Sequence, residues 1–439
     1  MRRSRPAATI ACFLALFTCA SLGLAGCGGT HPSPPTSSRP TSSTSTSLAR
    51  TTTTEAGSSS TTATSALTSS TSTTLATSTT TTSASTTTTV AHFSVTTPHG
   101  PVTLTPEQLA GQRVIYSYAG LTPPESLLQL IREGKAAGVA FDSDNITSLS
   151  QIKAVVAELE QAAKSPKNPI GAPLLLMADQ EGGKIRRLPG QPLLSEKQIG
   201  ASADPAQGAT DAGTSAGQNL AGVGMNVNLA PVLDVFRVAG NFADHLGRSY
   251  SMDPSVVSAL GADFIKAQQK TDVAATAKHF PGLGAATLTQ NTDLRAVTLD
   301  LSLSSLRSID ELPYKAAISA GVRLVMVSWA VYPALSPRPA GLSSIVVVQE
   351  LRDRLGFKGV AITDALNAGA LEAYGSFGRR AVLAAGAGMD LILCSGDVLS
   401  MGTQAKDGLS AALLDESLSS VNFQRSAQRV IDLRFGLGD

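Results

Sequence analysis

What this 439-residue chain lacks narrows its function before any motif is read. It carries no surplus of charge, with 34 basic residues against 33 acidic ones. Without a basic excess there is no electrostatic case for a nucleic acid partner. Cysteine is equally scarce, four in all. Cys12 and Cys19 fall in an N-terminal processing segment, which leaves Cys27 and Cys394, too few for a disulfide framework. Cys394 closes the apolar run DLILC, where a thiol behaves as an inert small hydrophobe. A membrane-spanning run is missing too: the apolar stretch from Ala7 to Leu24 is short and soon followed by polar sequence, unlike a stop-transfer helix.

That apolar stretch has another use. Arg2, Arg3 and Arg5 precede it and Leu24-Ala25-Gly26-Cys27 follows it, the order of a secretory signal. The tetrapeptide LAGC resembles a bacterial lipobox, which implies cleavage before Cys27 and lipid on its thiol; an ordinary signal peptide with a chance cysteine is the alternative. From there to about Val90 the chain is nearly all Ser and Thr with scattered Pro and Ala. Such a composition cannot bury enough apolar surface to offset ordering entropy and predicts a disordered tether, one that O-glycosylation would suit. Roughly 60 residues of this kind reach roughly 40–50 Å. The expected organisation is therefore a signal peptide over 1–26, a tether over 27–92 and one folded domain over 93–439. The protein would act outside the cytoplasm, attached to the membrane through lipidated Cys27.

The folded part alternates short apolar runs with amphipathic ones. Strands are expected at Arg113–Tyr118, Gly138–Phe141, Leu174–Ala178, Val227–Leu229, Val273–Ala277, Leu324–Val327, Val360–Thr363 and Leu391–Cys394. Helices such as Ile152–Ala163, Gln207–Ala221, Ser255–Gln269 and Ser343–Leu355 lie between them. Eight such units in one α/β domain of this length favour a (β/α)8 barrel of the TIM type. The alternative, an open doubly wound sheet, lacks a Gly-rich phosphate fingerprint after the first strand.

In a barrel the strand ends converge on one rim. Here they bring Asp142, Asp179, Asp234, Lys278-His279, Ser328-Trp329, Asp364 and Ser395 to it. Asp and Ser are also preferred helix caps, which suffices for Asp142 and Ser395. Capping does not account for Asp179, Lys278, His279 and Asp364 together.

These residues sit in longer matches: LLMADQEGGKIRRL, GMNVNLAPVLDV, GRSYSMDP, AKHFPG, ELPYKAAISAGVRLVMVSW and LRDRLGFKGVAITDAL. In this order they resemble the N-terminal barrel domain of family 3 glycoside hydrolases, specifically the single-domain bacterial β-N-acetylglucosaminidases. The resemblance implies a retaining glycosidase that acts on amino-sugar saccharides derived from cell wall and needs no cofactor or metal. It implies that Asp364 is the nucleophile, attacking the anomeric carbon to form a glycosyl-enzyme. Asp179 would accept two sugar hydroxyls, and Arg187, Arg248, Lys278 and His279 would donate to others, although each is also a possible structural ion-pair partner. Gly182 and Gly183 would let the backbone approach the sugar ring.

One loop departs from the family pattern. In the acetylglucosaminidases a His-Gly-Asp and then an Asp-Ser-His triplet follow KHFPG, and the triplet supplies the proton donor. Counted without gaps, the triplet falls here on Thr289-Gln290-Asn291, and no histidine follows His279. Lys184 also replaces a usual Arg, and Ala365 and Ala368 replace a common Asp and Met. A positioned general acid is worth about 10²–10⁴-fold. Asp293 is the nearest ionisable substitute, able to serve if burial or Asp364 raised its pKa; a loop-capping role is the alternative. Two functions follow: a glycosidase with a rewritten acid, or an impaired barrel that binds wall saccharides without turning them over.

Overall fold

The computed structural model describes residues 91–437, so the signal segment, the Ser/Thr-rich tether and Cys27 lie outside the described residues. Eight parallel strands form the centre: β1 (Val114–Tyr116), β2 (Gly138–Phe141), β3 (Leu175–Ala178), β4 (Val227–Asn228), β5 (Ala274–Phe280), β6 (Leu324–Val327), β7 (Val360–Thr363) and β8 (Ile392–Leu393). Each pairs with its neighbours in sequence, β8 pairs with β1, and a bridge between Ile362 and Leu391 closes the ring between β7 and β8. Each strand position is buried, as expected where a parallel sheet has packing on both faces.

Side-chain alternation divides the core in two. Leu175 and Met177 of β3 point into the barrel with Ile115, Ala140, Leu324, Met326, Ile362 and Leu393. Leu176 and Ala178 point outward and pack beneath the helices. A helix follows each strand, ending with Leu399–Leu414 after β8, and a further helix, Ser420–Phe435, completes the chain. Several helices begin where an acidic or hydroxyl side chain caps the first turn. Asp204 and Asp253 do so ahead of Pro205 and Pro254, a pairing that satisfies one orphan N–H and removes another. The last helix also holds a hairpin of Phe93–Thr97 and Gly100–Leu104, where the Gln428 amide exchanges two hydrogen bonds with the Thr96 backbone, 2.8 and 2.7 Å.

Two elements differ from the sequence reading. The fifth strand does not stop at Ala277 but continues through Lys278 and His279 to Phe280. Its pairing with β6 shifts by one residue beyond Val325, and Ser328 N–H then donates to the Phe280 carbonyl at 2.8 Å. The helix expected at Ser343–Leu355 is instead wound more widely over Ile345–Arg354, with Leu355 N–H reaching the Glu350 carbonyl five residues back. The wider turn carries Glu350 and Arg352 to the buried side, where Arg307 pairs with Glu350 and Arg352 with Asp390. Cys394 is buried and has no disulfide partner among the described residues, and burial pushes its thiol pKa up.

Candidate active site

A cavity of about 330 Å³ opens at the C-terminal end of the barrel. Ala140, Leu229, Met326 and Leu393, all inward-pointing or strand-end residues, form its floor. Polar groups arrive on the connections above: Asp179 directly after β3, Arg187 at the end of the small hairpin that follows, Arg248 beyond the short helix Phe242–His245, and Asp364 directly after β7. Lys278 and His279 come from β5 itself. Asn291, Thr292 and Asp293 complete the wall from the loop after it.

Lys278 organises one side. Its Nζ lies 2.6 Å from Asp179 Oδ1 and 2.7 Å from Glu181 Oε1. Glu181 in turn takes a two-pronged bond from Arg248, Nε to Oε2 at 2.8 Å and Nη2 to Oε1 at 2.7 Å. Burial alone would discharge such groups; paired, they stay ionised. Burial opposes the charge on Lys278, but Asp179 and Glu181 outweigh it and raise the pKa. Against the same opposition, Arg248 and Lys278 pull Glu181 down to about 2, and Lys278 lowers Asp179. Among the described residues Asp179 Oδ2 has no hydrogen-bond partner, Arg187 Nη2 standing 3.6 Å away, so this oxygen is open to a hydroxyl donor.

His279 is oriented from behind. Its Nδ1 lies 2.8 Å from Asp234 Oδ2, while Asp234 Oδ1 accepts the Leu283 N–H at 2.6 Å. A carboxylate at Nδ1 places the proton there and leaves Nε2 as the working nitrogen. Asp364 Oδ1 accepts the N–H of Ala365 at 2.7 Å, and Trp329 Nε1 fixes the Ala365 carbonyl at 2.9 Å.

The rewritten loop is well held. Gly284 packs against β4's connection so closely that a Cβ there would meet the Val235 carbonyl oxygen at 1.9 Å. Farther on, Gly369 N–H donates to the Asp293 carbonyl at 2.8 Å and Ala370 N–H to the Thr292 carbonyl at 3.0 Å. Asp293 is thereby tied to the turn that follows Asp364. The turn-capping group is Asn291, whose Oδ1 accepts the Asp293 N–H at 2.9 Å. Among the described residues no backbone N–H donates to the Asp293 carboxyl. Asp293 is an exposed residue, yet the protein around its carboxyl raises the pKa, and the charge of Asp364 raises it further.

The structure thus brings Asp179, Arg187, Arg248, Lys278, His279, Asp293 and Asp364 to one cavity. Asp142 caps the turn Ser143–Asn145 and also reaches Arg187, 3.5 Å away. Gly182, at φ 117°, lies so close to the Leu194 carbonyl that a Cβ would stand 2.3 Å from its oxygen. Its space is taken by the protein's own backbone. Sequence reasoning gave no role to Glu181 or Asp234. The signal for Glu181 was present as a surplus of cations, since a buried Lys278 and Arg248 require more than one carboxylate.

A closed parallel barrel whose C-terminal rim gathers ionised carboxylates, arginines and a buried lysine around one cavity has the makeup of a (β/α)8 enzyme. The description of the glycosyl hydrolase family 3 N-terminal domain matches residues 105–433. The chain belongs to that family and is a glycosidase. It is 46% identical over 73% of its length to an uncharacterised secreted glycosyl hydrolase of Arthroderma benhamiae, covering 91% of it. A β-hexosaminidase of Stenotrophomonas maltophilia is 33% identical over 65% of this chain and 84% of its own. Among solved structures, a family 3 β-N-acetylglucosaminidase from a Paenibacillus species superposes with a TM-score of 0.71 at 32% identity. The match covers 76% of this chain and 63% of that one.

Proposed function

We propose that the protein is a retaining β-N-acetylhexosaminidase that removes terminal N-acetylglucosamine, with Asp364 as nucleophile and Asp293 as acid and base. The observation that carries this reading is the pair itself: two carboxyls on one cavity, one of them raised by crowding and by the charge of the other. That is the asymmetry an acid and a nucleophile need. Asp364 attacks the anomeric carbon while Asp293 gives its proton to the departing oxygen, leaving a glycosyl ester on Asp364. Water then attacks the same carbon, its proton passes to Asp293, and Asp364 is released as carboxylate. Asp179, through Oδ2, and Arg187 and His279 hold the sugar hydroxyls; Arg248 and Lys278 keep the carboxylates ionised and share in that grip.

The names of the Stenotrophomonas and Paenibacillus relatives support the amino-sugar assignment. The basic, apolar and small-residue order before Cys27 supports export with a lipid anchor and hence cell-wall-derived saccharides as substrates. The Arthroderma relative's description as secreted agrees with export alone.

The deciding experiment is hydrolysis of an aryl β-N-acetylglucosaminide and of N,N′-diacetylchitobiose by wild type and by Asp364→Asn. Turnover by wild type, with the anomeric configuration kept and activity lost in the variant, is expected. Failure of wild type on both substrates overturns the proposal.

A further inference from the structure

A second cavity, of about 540 Å³, lies away from the catalytic rim. Its walls come from the widely wound helix Ile345–Arg354, the end of Phe377–Ala387 and the start of the last helix. Arg113 and Lys358 line it from just before β1 and β7, at the N-terminal ends of those strands. The glycosidase reading makes no use of it.

Charge sets this cavity apart in a chain that has 34 basic residues against 33 acidic ones. Among the described residues five cations line it, Arg113, Arg352, Lys358, Arg425 and Arg429, against one carboxylate, Asp353. A second carboxylate, Asp390, is shared behind the wall: Arg352 pairs with its Oδ2, and Arg429 Nη1 lies 3.1 Å from its Oδ1. Arg113 reaches only neutral oxygens, the Asp390 carbonyl from Nε at 3.0 Å and the Met389 carbonyl from Nη2 at 2.5 Å. Among the described residues its Nη1 has no acceptor, and no carboxylate forms an ion pair with Arg113, Lys358 or Arg425. Arg113 is nevertheless only 1% exposed. Burial lowers its pKa to about 10 despite Asp390, and Arg429 adds to the fall. A guanidinium so deeply buried ordinarily has a carboxylate of its own. Here five cations set against two carboxylates leave an excess of three.

We propose that this cavity binds the phosphate monoester of a small polyol or sugar, independently of the catalytic rim. A phosphate monoester carries about −1.5 to −2 charges near neutral pH, closer to the excess than a lone carboxylate comes. Guanidinium forks match its oxygens two at a time. The cavity is larger than a phosphate group alone fills, and Ser344, Ser417 and Ser426 on its walls offer partners for the hydroxyls of the alcohol part. Arg113 and Arg352 are recessed, at 1% and 9% exposure, which suits a soluble ester entering a hollow rather than a flat membrane surface.

The test is calorimetric titration of the full chain with glucose 6-phosphate, beside glucose and inorganic phosphate. Saturable binding of the ester is expected, weakened by added salt, with both other compounds binding more weakly. Lys358→Gln combined with Arg425→Gln changes two exposed side chains. The double variant should bind the ester about tenfold more weakly while leaving Tm and catalysis unchanged. Asp353→Asn, which neutralises the one carboxylate on the wall, should tighten binding, a gain that damage to the fold cannot imitate. Absence of saturable binding, equal binding of glucose or inorganic phosphate, or wild-type affinity in either variant overturns the proposal. Binding confined to phosphatidylglycerol vesicles also overturns it, by assigning these cations to a membrane surface.

Discussion

Lys278 and Glu181 form an ion pair 2.7 Å long in which each side chain is only 2% exposed. Neither faces solvent enough to be neutralised by water, so each depends on the other for its charge. The pair is the middle of a chain of charges that runs from Arg248 through Glu181 and Lys278 to Asp179. Of its two carboxylates, only Asp179, at 25% exposure, is open to solvent. In the proposed function, structural burden and binding duty are therefore divided between two carboxylates two residues apart.

That division predicts opposite behaviour in two substitutions. Glu181→Gln leaves Arg248 and Lys278 facing each other across a buried site and should cost roughly 3–5 kcal/mol of stability. Asp179→Asn, at the solvent-facing end, should cost less stability but raise KM or abolish turnover. Chemical denaturation beside steady-state kinetics checks both, and equal stability losses would contradict the assignment.

Glu181 also sets an acid limit. Its folded-state pKa of about 2 lies below the unfolded value of 4.5, so folding stability gained from its ionisation is complete above about pH 4.5. That contribution is lost as pH falls toward 2. Wild-type Tm should therefore drop over this range more steeply than that of Glu181→Gln, which lacks the titrating group.

Backbone space gives a prediction independent of charge. At Gly182 the φ of 117° and the Leu194 carbonyl leave no room for a Cβ. Gly182→Ala should displace the hairpin that carries Arg187, raising KM and lowering Tm. The sequence reading had reserved this room for the sugar. An alanine variant with unchanged KM and Tm would show that the hairpin absorbs the methyl group.

How far the fold could be read in advance depended on burial. Strands such as Gly138–Phe141, Leu324–Val327 and Val360–Thr363 were legible to the residue, because a parallel strand packed on both faces is a continuous apolar run bounded by polar ends. Lys278 and His279 broke that rule: their charge placed them after β5 in the sequence reading, whereas backbone bonds of Lys278 with Pro231 and Leu233 and the pairing of Phe280 with Val327 keep them within it. The Phe280 pairing depends on a register shift, which leaves no compositional trace. Within the site, residues flanked by distinctive glycines and prolines could be picked out one by one. Asp234 could be placed at a strand end, but its grip on His279 is a contact across 45 positions, and nothing local in sequence reports such a partner.

The position of Asp293 leads to the sharpest test. Its carboxyl is raised by crowding and then by Asp364, so as an acid it works while protonated and fails as pH climbs through its raised pKa. Wild type should show a falling alkaline limb in kcat/KM for substrates with poor leaving groups, and Asp293→Asn should remove that limb. The same variant should lose about 10²–10⁴-fold on N,N′-diacetylchitobiose, the range of general acid catalysis, and far less on an aryl glycoside whose phenolate departs unaided. Removing Asp364 by Asp364→Asn should lower the Asp293 pKa, observable by carbon-13 NMR of the carboxyl, because the second cause of its elevation disappears. Because Asp293 is bonded through its carbonyl to Gly369, the side chain can be changed without freeing the loop. An Asp293→Asn enzyme that cleaves both substrates at the wild-type rate would assign the proton to another group.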